Sequence, residues 1–200
     1  MKQNTSYGAT RQPLHRREVI CTGFLRDDGL IDLEGSLLDT KHHDHDAFYK
    51  VIPAGAPLHR MRIVLTADLQ FVIHAIEVVM DDAPTPFCPE IVEAYKSLIG
   101  LKIGPGFKSR VIQRMGGVKG CTHLTELLGP MATTLYQSTV DLLREAERER
   151  AASDPQYVAP APWMIGTCHA HSTDREEVRR RWPEYRPAGI APVRLVTGGE

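Results

Sequence analysis

The segment Gly120-Cys121-Thr122-His123-Leu124-Thr125-Glu126 sets a thiol, a hydroxyl and an imidazole where the apolar spacing that follows predicts a helix to begin. A helix N-terminus lowers the pKa of a thiol and favours bound anions. His123 and Glu126, three residues apart, share a helix face and suit an acid/base pair. The plain alternative is structural: Thr122 caps the helix, Glu126 complements its dipole, and Cys121 is a small buried residue.

Strand parity supplies further candidates, because alternate side chains share a face. In 30–41, Ile31, Leu33, Gly35, Leu37 and Asp39 fall together, with Asp32, Glu34 and Ser36 opposite. In 59–66, His59, Met61, Ile63 and Leu65 fall opposite Arg60 and Arg62; in 71–80, Glu77 joins Phe71, Ile73, Ala75 and Val79. Asp39, His59 and Glu77 therefore lie on apolar faces, where a charge is costly unless paired and where shifted pKa values mark active sites. The alternative is that they sit at strand ends, or that a bulge flips the parity.

Metal and nucleotide chemistry are also readable. Cys121 and His123 with Cys168, His169 and His171 offer zinc-type ligands, although their spacing matches no established finger. The run His42-His43-Asp44-His45-Asp46 has ligand types too, but an exposed polar loop explains it more simply. The glycine-rich stretch around Gly104, Gly106, Gly116, Gly117 and Gly120 matches neither dinucleotide nor P-loop spacing.

These residues need elements to hold them. Glu18–Arg26 and Leu30–Lys41 flank Asp27-Asp28-Gly29, and His59–Thr66 and Phe71–Met80 flank 67–70, predicting two β-hairpins. The connection 42–57 is long for a compact domain and reads as a mobile binding loop over the pocket. Pro89 to Gly100 keeps helical spacing, and another helix starts near Thr122 with Gly129-Pro130 kinking or restarting it. Thr173-x-x-Glu176 resembles a capping box before a short basic helix. Strands first and helices second predict an α+β fold, an antiparallel sheet packed by C-terminal helices. The expected organisation is a disordered lead-in over 1–13, a core domain over 14–150, and a linker, short helix and loose tail over 151–200.

Composition narrows the function classes. In 200 residues, 24 Lys+Arg stand against 25 Asp+Glu, so no broad basic footprint argues for nucleic acid. No apolar run reaches the roughly 20 residues a membrane span requires. The N-terminus has no apolar core of a secretory signal, and the four dispersed cysteines are expected as free thiols in a cytoplasmic protein.

Taken together, Arg26-Asp27-Asp28-Gly29, Asp32-Leu33-Glu34-Gly35, Asp39-Thr40-Lys41, Pro57-Leu58-His59, Leu98-Ile99-Gly100-Leu101, Pro105-Gly106-Phe107 and Gly120-Cys121-Thr122-His123-Leu124 resemble the bacterial family DUF2889, a domain of unknown function, over about residues 14–185. The resemblance brings no established catalytic residues, and implies a setting beside aromatic-compound catabolism. The expected function is a cofactor-independent, non-redox lyase acting on an aromatic compound of the lignin-derived type, for example by retro-aldol-type release of a small aldehyde. His59, His123, Glu34, Asp39 and Glu77 would move protons. Arg26 and Arg62 would hold a phenolate or carboxylate, with Cys121 and Glu126 also contacting substrate. A homodimer is left open. The alternative is a non-catalytic ligand- or zinc-binding protein.

Overall fold

A computed structural model describes residues 3, 4, 8–160, 162 and 164–183. Four antiparallel strands form the main sheet in chain order: β1 (His15–Leu25), β2 (Ile31–Lys41), β3 (Pro57–Ala67) and β4 (Ile73–Asp82). The fold is α+β. In β2, Ile31, Leu33, Gly35, Leu37 and Asp39 are buried, while Glu34 on the opposite face is exposed. The first hairpin turns at Gly29, whose φ of 82° suits glycine far better than any L side chain.

The second hairpin departs from simple alternation. Phe71 does not begin β4; it closes the turn at φ 66°, an uncommon conformation for a bulky residue. Its amide donates to the Asp68 carbonyl, and its buried ring packs edge-on against Tyr136 at 4.7 Å. Three residues after Phe71 the ladder slips, pairing Ala67 with Ile73 but Thr66 with Ala75. That bulge at His74 reverses the parity. Ile73 and Ile76 are both buried, and Glu77 is exposed.

The helical layer covers the sheet face that carries Asp39. The helix expected from Pro89 forms over Cys88–Leu98, but in the tighter 3₁₀ geometry, with Tyr95 and Leu98 buried. Helix α1 (Phe107–Met115) occupies the stretch read only as glycine-rich; its buried Phe107, Val111 and Met115 recur every four residues. Helix α2 (Thr122–Ser153) continues through Pro130 and buries Leu124, Leu127, Leu128, Met131 and Leu135. Gly35 and Gly23 let α2 approach the sheet, since a Cβ at either would collide with Met131 or Ser138.

Between β2 and β3, the connection folds into a small hairpin, pairing His45–Asp46 with Val51–Ile52. Asp44 accepts from the Ala54 amide and Asp46 from the Phe48 amide, so the acidic residues of the HHDHD run brace the loop itself. Near the N-terminus Gln3–Asn4 pairs with Thr10–Arg11.

The chain divides into two compact units, 1–144 and 145–200. The second contains the end of α2, a 3₁₀ turn at His169–His171 and α3 (Glu176–Arg181). Arg175, not Thr173, is the residue at the start of α3, and no side chain caps it, so the expected capping box does not form. The tail expected over 184–200 lies outside the described residues. Among the described residues, no helix is long and apolar enough to cross a membrane, and all four cysteines are free.

Candidate active site

The ladders set Arg17, Asp39 and His59 in one row across β1, β2 and β3. Because directly opposed residues in a sheet point to the same face, the three side chains converge by register alone. Asp39 is fully buried. Arg17 donates from Nε to Oδ1 at 2.8 Å and from Nη2 to Oδ2 at 2.9 Å. His15 Nε2 lies 3.0 Å from Oδ1, and His59 Nδ1 lies 3.0 Å from Oδ2. A carboxylate has about four acceptor positions, and these four contacts occupy them.

The amino end of α2 supplies the other wall. His123 brings Nε2 to 4.0 Å from Asp39 Oδ2, and its ring lies 3.9 Å from that of His59, centroid to centroid. Cys121 Sγ sits 3.8 Å from His123 Nδ1. The backbone of Cys121 is held by the fully buried Tyr95, whose hydroxyl accepts from the Cys121 amide and donates to its carbonyl. Glu126, one turn further, pairs with Arg17 Nη1 at 2.9 Å. The GCTHL segment is thus clamped at its cysteine and aimed by its histidine.

The electrostatics follow from burial and partners. Burial pushes the Asp39 carboxyl up, but the hydrogen bonds and charges of Arg17 and His15 outweigh it and hold the pKa at about 2. Burial lowers the pKa of His59, and the neighbouring His123 lowers it further against the pull of Asp39. Burial and the Arg17 charge lower that of His123 in the same way. Both imidazoles are therefore neutral near pH 7. With Nδ1–H of His59 directed at Asp39, its Nε2 is left as an unprotonated base, with no hydrogen bond to any described residue.

The structure brings together five sequence candidates: Asp39, His59, His123, Cys121 and Glu126. It leaves out four. Glu34 projects from the opposite sheet face, and Glu77 is turned outward by the bulge. Arg26 is bound to Asp28 and Asp32 at the first hairpin turn, and Arg62 is exposed on the outer face. Two residues were missed, His15 and Arg17. The metal-ligand group among the described residues is Asp39, His59 and His123, whose ligand atoms lie within 4.8 Å of one another. It shares only His123 with the cysteine–histidine set read from the sequence; Cys168 instead contacts His171, with Sγ 3.2 Å from Nδ1.

Residues 15–137 match the family described as protein of unknown function, DUF2889. The chain belongs to this family. The matched span begins at His15 and takes in every residue of the Asp39 cluster, so the whole site lies within the DUF2889 region. No curated protein and no solved structure matches the chain.

Proposed function

We propose that this DUF2889 protein is a cofactor-independent acid/base enzyme that cleaves a carbon–carbon bond in a small aromatic compound. The observation that carries the reading is the Asp39–His59 pair. A buried carboxylate fixes the imidazole tautomer and is placed to stabilise the imidazolium that forms when Nε2 accepts a proton. In a retro-aldol step, His59 removes the proton from a substrate hydroxyl. The carbon–carbon bond breaks as the C=O of the released aldehyde forms, and the electron pair passes through the other carbon to a substrate carbonyl conjugated with it, giving an enolate. The His59 imidazolium then returns its proton to that carbon, restoring the enzyme. His123, neutral and with its ring tilted against that of His59, offers an N–H to the oxygen that carries developing charge.

An aromatic substrate is supported by the connection between β2 and β3, which leaves the sheet just after Asp39 and re-enters just before His59. Its tip carries Phe48, 88% exposed, and Tyr49, whose ring meets Phe87 at 5.9 Å. A soluble, cytoplasmic setting accords with this chemistry and with four free thiols.

A metal-binding reading is favoured by the three ligand atoms of Asp39, His59 and His123. Against it, an ion there would have to displace donors that already fill Asp39 and would face the Arg17 guanidinium. The deciding experiment incubates metal-stripped protein with aryl ketones bearing a β-hydroxyl and traps released aldehyde. Aldehyde release without added metal, lost in His59→Gln, is the expected result. Release only after zinc is restored would overturn the cofactor-independent reading.

A further inference from the structure

A cavity of about 250 Å³ lies between α1 and the first turns of α2, with apolar walls from Phe107, Val111, Ile112 and Leu128. Gly129 completes the wall from within α2. Glycine weakens a helix relative to alanine, so a helical glycine calls for a reason. Pro130 supplies a local one, because the ring of a proline inside a helix crowds the Cβ of the residue before it. Beyond its chain neighbours a Cβ at Gly129 would meet nothing within 4 Å, so this side of the cavity is open.

Two charged residues border it, and only one is neutralised. Glu126 is bound to Arg17 at 2.9 Å. Lys108 has no ion-pair partner among the described residues, and the first turn of α1 carries no acidic residue. The lining therefore has an apolar body and one unpaired positive charge. Its volume falls below the roughly 300–1,000 Å³ typical of sites for drug-sized ligands, so it suits a single ring or a short chain.

We propose that this cavity binds a small apolar monocarboxylate, its body between α1 and α2 and its carboxylate on Lys108. This deepens the acid/base reading by naming the substrate's anchoring group, and it rests on that reading only in taking the ligand to be the substrate. The link is Glu126, which borders the cavity and bonds the same Arg17 that holds Asp39.

The test is binding, followed by amide chemical shifts of the full chain, with benzoate and hexanoate as probes and benzyl alcohol and hexanol as uncharged controls. At least one acid should shift the Lys108, Val111, Ile112 and Gly129 amides saturably, with a dissociation constant near or below ~1 mM. Its alcohol should bind about tenfold more weakly, because the charge-assisted contact is lost. Tighter benzoate identifies an aromatic body, and tighter hexanoate an aliphatic one. Lys108→Met should erase the difference between acid and alcohol. Gly129→Leu should abolish binding, and Ile112→Trp, at an exposed position of the same wall, should do so too and keeps the test open where the side chain placed before Pro130 costs the helix stability. His59→Gln should leave binding intact, so loss of turnover in that variant speaks to the acid/base site and not to the cavity. No saturable shift with either acid, or unchanged binding in Gly129→Leu, would overturn the proposal.

Discussion

Arg17 and Asp39 meet across β1 and β2 as a two-bond fork, Nε to Oδ1 at 2.8 Å and Nη2 to Oδ2 at 2.9 Å. The carboxylate is buried while the side chain of Arg17 is about one-third exposed, so the guanidinium stands between the charge and solvent. Its remaining nitrogen holds Glu126 on α2. One side chain thereby ties the edge strand, the buried acid and the first turns of α2 together.

Arg17→Ala should consequently destabilise the fold by about 3 kcal/mol, the cost of leaving a buried charge without its main partner. Arg17→Lys keeps the charge but loses the planar fork, and should recover only part of that loss. Urea unfolding of the three proteins measures both. A loss below about 1 kcal/mol in Arg17→Ala would mean that His15 and His59 hold the carboxylate unaided.

Stability should fall with pH in two stages. His59 and His123 have folded pKa values below that of a free imidazole. The unfolded chain therefore takes up protons first as pH drops through about 6.5, and stability declines from there toward the lower folded values. Asp39, held at about 2, adds a contribution fully present above about 4 and lost as pH falls toward 2. At about 1.4 kcal/mol per unit, this second stage is worth roughly 2 kcal/mol. Melting temperature across pH 2–8 gives the profile, and Asp39→Asn should remove its acidic stage. Titration of the two imidazoles at or above pH 6.5 would contradict the first stage.

The parts of this site that were legible in the sequence share a property: a charged or polar residue interrupts an otherwise apolar face. Asp39 follows Ile31, Leu33 and Leu37, and His59 precedes Met61, Ile63 and Leu65, so period-two counting isolates both. His123 stands out by its place at a helix start. Arg17 and His15 had no such contrast, because β1 opens His15-Arg16-Arg17-Glu18 with charged or polar side chains on both faces. Glu77 failed for a different reason. A bulge lies between it and Phe71, and one extra residue reverses every side chain beyond it. Helix α1 was hidden by its flanking glycines, although Phe107, Val111 and Met115 carried its period.

Gly35 tests the contact that seats α2 on the sheet. Gly35→Ala places a methyl against Met131 and Leu127 and should cost about 1–3 kcal/mol through overpacking. Met131→Ala in the same background should relieve part of that cost, and a double-mutant cycle in urea measures the coupling. Simple additivity would show that the helix shifts without resistance.

Phe48 tests the loop rooted between Asp39 and His59. At φ 68° and almost fully exposed, it holds a conformation that costs of order 1 kcal/mol or more without burial in return. Phe48→Gly should leave stability unchanged or raise it by about 1 kcal/mol. If the aromatic tip covers substrate, the same change should raise KM. Unchanged kinetics in a stabilised variant would reduce the loop to a connector.

His59 and His123 should separate by the kind of loss each causes. His59→Gln keeps a hydrogen-bonding side chain beside Asp39 but removes the base, so kcat should fall by about 10²–10⁴-fold with little change in KM. The wild-type rate should hold below pH 6.5 before declining, because both imidazoles resist protonation through burial. His59→Gln should flatten that acidic limb. His123→Gln retains an N–H donor, so its kcat should fall less, by about tenfold, and its acidic limb should persist. His123→Ala removes the donor and should cost more. An acidic limb lost with His123 and retained with His59 would exchange the two roles, while the Asp39 carboxylate remained the group that orients the base.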